Sequence, residues 1–214
     1  MKIKALTVGP LYTNCYIISC ERTGEAIIID PGFEEHEAHT ILNEVERSGL
    51  NLVYVVNTHG HFDHIIGNRF LREEMNLPIM IHAGDAPLLT NPEMNLSLSL
   101  GLNITSPPAD ILLSDGDIIR VGMETLKVIY TPGHSCGSIS ILGDGFVFTG
   151  DTLFAGSVGR TDLPGSSDTD LIRSIRDRLM SLPDDTIIYP GHGPSSTIGR
   201  ERRGNPFLVD LDLI

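Results

Sequence analysis

Four side chains that bind metal ions well lie close together between Thr58 and His64, in the segment T-H-G-H-F-D-H. His59 and His61 are two positions apart, so in an extended backbone both side chains point to the same side and can reach one ion. Asp63 and His64 follow where the chain is predicted to enter a helix, and they can reach a neighbouring ion. Imidazole and carboxylate ligands favour zinc, iron or manganese over soft ions that are bound by thiolates alone. The segment therefore predicts a divalent metal site.

Three further candidate ligands follow predicted apolar strands, and each has a glycine beside it: His134, Asp151 and His192. In α/β sheets, ligands collect beyond the carboxyl ends of strands, so these positions can meet the first four at one sheet edge. The glycines allow sharp turns and a close approach of the backbone. One zinc-type ion takes about four ligands. Seven candidates, with one carboxylate bridging, therefore fit two ions better than one.

A centre of two divalent ions predicts hydrolysis. Two ions about 3.5–4 Å apart can share a hydroxide whose pKa falls towards ~7, which makes it a good nucleophile at neutral pH. The expected target is an electrophilic carbonyl or phosphoryl group.

The elements that must position these ligands are predicted from the periodicity of apolar residues. Strands are predicted at 2–8, 14–20, 25–29, 52–57, 78–82, 111–113, 117–121, 125–130, 138–142, 145–149 and 186–189. Helices are predicted at 34–48, 64–75 and 168–180, and 84–110 is predicted as surface loop with a short helix. No stretch has the composition of a linker. Residues 1–214 are therefore expected to form a single α/β domain with helices covering the sheets.

The composition limits which classes of binding partner and which cellular compartment we expect. The net charge of -13 argues against a nucleic-acid backbone or an anionic membrane as partner, because both attract clustered Lys and Arg. Three cysteines cannot all pair with one another, which favours a reducing compartment. No signal-peptide or membrane-span pattern is present in the sequence. We expect a cytoplasmic protein that is a monomer or a small homo-oligomer.

The motif from His59 to His64 resembles the H-x-H-x-D-H hallmark of the metallo-β-lactamase superfamily. The segments G-D-T-L-F at 150–154 and V-G-R-T-D at 158–162, with the tail 191–207, are similar to the hydroxyacylglutathione hydrolases (glyoxalase II) and their shorter relatives. The resemblance implies a four-layer αβ/βα sandwich, with two mixed sheets flanked by helices and the site at one edge of both sheets.

The resemblance also implies how the ligands divide between two ions. Three imidazoles would hold the first ion: His59, His61 and His134. One carboxylate and two imidazoles would hold the second: Asp63, His64 and His192. Asp151 would bridge the two. Zinc is the expected metal, with iron and manganese as alternatives.

The implied reaction is hydrolysis of a small-molecule thioester, of the hydroxyacylglutathione type. The hydroxide that bridges the metals attacks the carbonyl that they polarise, and a thiolate leaves. With a thiol pKa of ~8.5, the leaving group needs little help from a general acid. Asp63 and Asp151 are the expected catalytic residues, and Asp63 would also orient the nucleophile. The resemblance to the family also suggests that Asp30 accepts a hydrogen bond from a metal-binding histidine.

Substrate recognition is where the sequence departs from glyoxalase II. Full-length members carry a helical C-terminal extension that helps to hold glutathione, and no separate C-terminal glutathione-binding domain is expected here, because the chain ends soon after His192. The family position of a glutathione-contacting tyrosine is Asp162. Arg160 is the candidate anchor for an anionic substrate, and three further arginines could contribute: Arg200, Arg202 and Arg203. The competing interpretation makes all four surface residues or members of structural ion pairs.

An oxidoreductase is the alternative function. Persulfide dioxygenases resemble this ligand pattern but use a single Fe(II), which would be held by His59, His134 and Asp151 in a two-His-one-carboxylate triad. The full set of seven ligands and the Gly159-Arg160 segment favour the hydrolase.

Overall fold

The first of two stacked sheets is built from the N-terminal half of the chain, and the computed structural model describes residues 1–208. Its six strands lie in sequence order: β1 (Lys2–Val8), β2 (Thr13–Ser19), β3 (Glu25–Ile29), β4 (Asn51–Val56), β5 (Ile79–His82) and β6 (Ile111–Leu113). The pairs β1–β2 and β2–β3 are antiparallel, whereas β3 to β6 run parallel. Parallel neighbours need long crossovers. Four helices lie in them: α1 (Ala38–Arg47), α2 (Phe62–Ile65), α3 (Asn68–Met75) and α4 (Ala86–Thr90).

The second sheet is also mixed and has the strand order β14-β13-β10-β9-β8-β7. The strands of the second half are β7 (Ile118–Val121), β8 (Glu124–Tyr130), β9 (Ile139–Leu142), β10 (Phe146–Gly150), β11 (Leu153–Phe154), β12 (Ser157–Val158), β13 (Ile187–Pro190) and β14 (Ser196–Thr197). Strands β7 to β10 form an antiparallel meander, and β11 and β12 form a separate hairpin. Strands β10 and β13 are parallel, and their crossover contains α5 (Asp168–Ser174). Helix α6 (Ile198–Gly204) follows β14.

Alternating side chains on the strands produce the four layers. On β2, Ile17 joins the cluster beneath α1, while Ile18 faces the second sheet. On β10, Phe148 lies between the sheets, while Val147 packs in the cluster that contains Leu171 of α5. Each sheet therefore has one face on the other sheet and one face under helices, which confirms the expected sandwich. Within residues 1–208, no helix is both long enough and apolar enough to cross a membrane.

Some element boundaries differ from the prediction, with local reasons. The helix predicted at 64–75 is two helices, and Gly67 at the break donates its N–H to Pro31 O at 2.7 Å. The helix predicted at 168–180 ends in a π-helical turn at Ile175–Leu179. Helix α6 and the β11–β12 hairpin were not predicted. The sequence of α6, I-G-R-E-R-R-G, has too few apolar residues to show a helical period.

Candidate metal centre

All seven predicted ligands lie at one edge of the two sheets, each in a segment that follows a strand. The segment 59–64 follows β4, and the other three follow β8, β10 and β13: His134, Asp151 and His192. The parallel strands β10 and β13 end side by side, and Gly191 N donates to Gly150 O at 2.8 Å. The first sheet reaches the same edge through β2, because Asn14 N donates to Gly191 O at 2.7 Å.

Three buried imidazoles form the first group of potential ligands: His59, His61 and His134. One nitrogen from each ring lies within 4.8 Å of the other two. His61 Nδ1 lies 2.9 Å from His134 Nε2. His134 Nδ1 is 2.9 Å from the carbonyl oxygen of Arg160, so Nδ1 carries the proton and Nε2 is unprotonated. His59 is held in the same way, with Nδ1 3.2 Å from Thr58 Oγ1.

A second group lies beside the first: Asp63, His64 and His192. Asp63 Oδ2 is 3.3 Å from His64 Nε2 and 3.2 Å from His192 Nε2. Asp63 is oriented by Thr13, whose hydroxyl donates to Oδ2 at 3.1 Å. The second group therefore offers one carboxylate oxygen and two imidazole nitrogens.

Asp151 lies between the two groups. Its Oδ2 is 3.6 Å from His134 Nε2 in the first group and 3.5 Å from His192 Nε2 in the second. Its Oδ1 is 3.5 Å from His64 Nε2. A carboxylate in this position can contact cations on both sides.

The polar atoms of this cluster fit divalent cations. Three buried atoms have no hydrogen-bond partner among the described residues: His59 Nε2, His64 Nε2 and Asp151 Oδ1. Burying such atoms without a partner is costly, and buried groups of this kind usually pair or bind metal. The nitrogen and oxygen donors are those of zinc, iron and manganese sites.

The electrostatics of the two groups differ. Burial, and to a smaller extent the neighbouring His134, lowers the pKa of His61 to about 3. This imidazole is therefore neutral at pH 7, with a lone pair to give. Burial also lowers the pKa of His64, but the carboxylates of Asp63 and Asp151 outweigh it and hold this pKa above its usual range. Positive charge is thus favoured at the second group, on an imidazole or on a bound cation.

A buried carboxylate, Asp30, fixes the orientation of two of the histidines. Its Oδ2 lies 3.0 Å from His64 Nδ1, as the resemblance to the family suggested. Asp30 also accepts two hydrogen bonds from Thr58: Oδ1 accepts from the N–H at 2.7 Å, and Oδ2 accepts from the hydroxyl at 2.6 Å. Because Thr58 Oγ1 in turn contacts His59 Nδ1, Asp30 directs Nε2 of both rings towards the cluster.

Several residues that hold the site were not predicted as functional. The side-chain amide of Asn14 donates to Pro190 O at 3.0 Å and to Gly193 O at 2.8 Å, on either side of His192. The hydroxyl of Tyr16 also donates to Pro190 O, at 2.6 Å. These contacts join positions far apart in the chain, so no local pattern marks them. The polar T-N at the start of β2 is the one visible signal.

A cavity of about 500 Å³ opens over the cluster. Its walls are largely apolar: Leu11, Phe62, Leu96, Leu100, Phe154, Val158 and Leu163. Among the described residues, Arg160 is the one arginine or lysine that lines it, and its guanidinium is bound by Asp162. Arg202 and Arg203 instead pair with Asp184. Each of these three arginines is therefore in an ion pair, and Arg200 is exposed.

A sandwich fold with this His/Asp cluster at the sheet edge defines a class of metallo-hydrolase. The sequence profile of the metallo-beta-lactamase superfamily matches residues 8–192. The probable metallo-hydrolase YqgX of Bacillus subtilis is 36% identical over 216 residues, which cover 100% of both chains. The hydroxyacylglutathione hydrolase GloC of Haemophilus influenzae is 35% identical, with 97% of this chain and 98% of that protein covered. The chain belongs to the metallo-beta-lactamase superfamily, and the resemblance seen in its motifs is confirmed.

Solved structures agree with the fold. The BLEG-1 B3 metallo-beta-lactamase is 38% identical, with a TM-score of 0.91 over 97% of this chain and 100% of that one. The TTHA1623 protein in a di-iron-bound form is 38% identical, with a TM-score of 0.83 over 96% of this chain and 100% of that one. ETHE1 from Myxococcus xanthus is 31% identical, with a TM-score of 0.81 over 96% of this chain and 84% of that one. The predicted fold class is therefore confirmed.

Proposed function

We propose that the protein is a hydrolase with two divalent metal ions that cleaves a thioester of the hydroxyacylglutathione type. The observation that carries this proposal is the pair of ligand groups with Asp151 between them. A single ion in the first group would leave the buried Nε2 of His64, in the second group, without a partner. The 35% identity to GloC over nearly the whole chain supports the thioester as substrate class.

In this proposal, the first ion is held by three imidazoles: His59, His61 and His134. The second ion would be held by Asp63, His64 and His192, and Asp151, which lies between the two groups, would be available to both. When bound, the metals supply a nucleophile that is ionised near neutral pH and a Lewis acid for the carbonyl. Zinc is the proposed metal because its preferred donors are those present. Iron is the alternative, since a relative of similar length binds two irons.

The chain's own residues then bind and orient the substrate. Asp63 faces the cavity and is fixed by Thr13, so it can accept a hydrogen bond from an attacking water. The apolar walls exclude bulk water from the reacting carbonyl. Arg160 at the rim is the proposed contact for an anionic part of the thioester.

We also propose a cytoplasmic location and action on a small molecule rather than on nucleic acid or membrane. Cys15, Cys20 and Cys136 are all free thiols, as expected in a reducing compartment. The strong negative charge opposes binding to polyanions.

Elemental analysis paired with an assay of S-lactoylglutathione hydrolysis tests the proposal. The purified chain should hold close to two metal ions and release free thiol from the thioester. Asp151→Ala should lower the metal content and abolish turnover. Hydrolysis that persists after complete removal of metal would overturn the proposal.

Persulfide dioxygenation with a single Fe(II) is the second candidate. The similarity to ETHE1 favours this candidate. The proposed iron ligands of that alternative also lie together here: His59, His134 and Asp151. Oxygen consumption with glutathione persulfide, together with no hydrolysis of the thioester and one iron per chain, would decide for it. The second ligand group around His64 argues for the hydrolase.

A further inference from the structure

Asp85, a fully buried residue at the start of α4, joins two loops that carry potential metal ligands. Its Oδ2 accepts from Gly60 N at 2.9 Å and from Ser135 Oγ at 2.6 Å. Its Oδ1 accepts from Gly137 N at 2.6 Å. The thiol of Cys136 also donates to Oδ1, at 3.6 Å. One carboxyl group therefore accepts four hydrogen bonds, and none of the donors lies on its own helix.

The donors flank the three imidazoles of the first group. Gly60 stands between His59 and His61, and Ser135 follows His134. The two loops are also joined where β9 begins, since Ile139 N donates to Thr58 O at 2.9 Å. Asp85 supplies a second connection. It bonds Gly60, which follows His59 on one loop, and Ser135 and Gly137, which follow His134 on the other. The position of the Asp85 carboxyl group therefore contributes to the separation of these imidazoles.

Two glycines give the carboxyl group room to reach both loops. A Cβ at Gly60 would lie 3.0 Å from the carbonyl oxygen of Asp85 and would crowd Leu88 of α4. A Cβ at Gly137 would overlap the backbone nitrogen and the carboxyl group of Asp85. Any larger residue at these positions would push the loops away from Asp85. The glycine within the H-G-H motif is therefore explained by the approach of α4.

We propose that Asp85 is a positioning residue of the three-histidine group, and that it raises the metal affinity of that group without changing the affinity of the second. This inference rests on the metal centre proposed above. The second group is supported by Thr13 on Asp63 and by Asp30 on His64, and neither residue hydrogen-bonds to Asp85. Removing the Asp85 carboxylate should therefore loosen one site selectively.

Asp85→Asn is the sharpest change, because the amide has the same shape but one acceptor fewer. If its NH₂ takes the place of Oδ2, it faces the N–H of Gly60. If it takes the place of Oδ1, it faces the N–H of Gly137. In either orientation a buried backbone donor loses its partner, and the loop that carries it is released.

The test measures Zn²⁺ affinity of the full chain, freed of metal, by competition with a coloured chelator. Two backgrounds isolate the two groups: His192→Ala weakens the second, and His61→Ala weakens the first. In the His192→Ala background, Asp85→Asn should lower the affinity of the remaining site by about 10–100-fold, as expected for a group that orients ligands. In the His61→Ala background, it should change nothing beyond the error of the titration.

The matched control is Asp110→Asn, at a carboxylate away from the cluster whose Oδ2 accepts from Ile79 N at 2.9 Å and whose Oδ1 pairs with Arg72 at 3.0 Å. It should leave both affinities unchanged. Equal losses in both backgrounds, or no loss in either, would overturn the inference. If Asp85→Asn does not fold, Ser135→Ala decides by the same comparison, with a smaller loss expected at the three-histidine site alone. A parent chain that binds no Zn²⁺ would instead overturn the proposed function.

Discussion

The guanidinium of Arg160 is bound side-on by Asp162, with Nε 2.7 Å from Oδ1 and Nη2 2.8 Å from Oδ2. Both side chains are exposed, and Arg160 lines the rim of the cavity. The pair raises the pKa of the guanidinium and lowers the pKa of Asp162 to about 2, so both are charged at neutral pH. The candidate anchor for an anionic substrate is thus already occupied by a carboxylate of the chain itself.

Releasing Arg160 should improve the binding of an anionic thioester. Asp162→Asn removes the competing charge, so KM for S-lactoylglutathione should fall by about two- to fivefold, the range expected for an exposed charge pair. The measurement is steady-state kinetics at low ionic strength, since salt screens exposed charges. Raising the salt concentration should erase the difference.

Another ion pair of the same geometry provides the control. Arg176 and Asp177 are joined by two bonds of 2.6 and 3.0 Å on a surface away from the cavity. Asp177→Asn should leave KM unchanged. If both substitutions lower KM equally, the effect is one of net charge and Arg160 does not contact the substrate.

Asp30→Asn should weaken both metal sites, in contrast to Asp85→Asn. Asp30 orients His64 directly and His59 through Thr58, so it supports one ligand of each group. Removing such a partner lowers metal affinity by about 10–100-fold. Titration of the metal-free variant with Zn²⁺ in the two single-site backgrounds measures both losses. A loss confined to one site would contradict the role given to Thr58.

The difference between Asp63 and Asp85 illustrates how much of the site the sequence reveals. Asp63 belongs to a short motif whose spacing and residue types indicate metal binding, and the strand ends indicate where the distant ligands lie. Asp85 lies in an ordinary loop, and the donors Gly60 and Gly137 are 25 and 52 positions away. Local periodicity carries no information about such tertiary pairs. The same holds for α6, whose mostly polar sequence becomes helical where the hydroxyl of Thr197 caps it.

The loop that carries His192 should depend more on Asn14 than on Tyr16. Asn14 bonds carbonyl groups on both sides of the histidine, whereas Tyr16 bonds only Pro190 O, which Asn14 also serves. Asn14→Ala should therefore lower occupancy of the second metal site, measured as metal per chain after gel filtration. Tyr16→Phe should cost about 1 kcal/mol of unfolding free energy, a fall in Tm of about 2–4 °C, with metal content unchanged. Loss of metal from both variants equally would show that β2 supports the fold and not the loop.

Removing metal should destabilise the protein reversibly. His59 and His61 are buried, and burial lowers the pKa of both imidazoles. At pH 7 both rings are therefore neutral, and each has a nitrogen lone pair that can bind a cation. An ion at 100 times its dissociation constant stabilises the native state by about 2.7 kcal/mol per site, which for a chain of this size corresponds to a rise in Tm of about 5–10 °C. Thermal unfolding before and after chelation measures the shift, and adding back Zn²⁺ should restore it. Mg²⁺ should not, because it prefers oxygen ligands in octahedral geometry. An unchanged Tm after complete chelation would mean that these seven residues do not hold a metal with useful affinity.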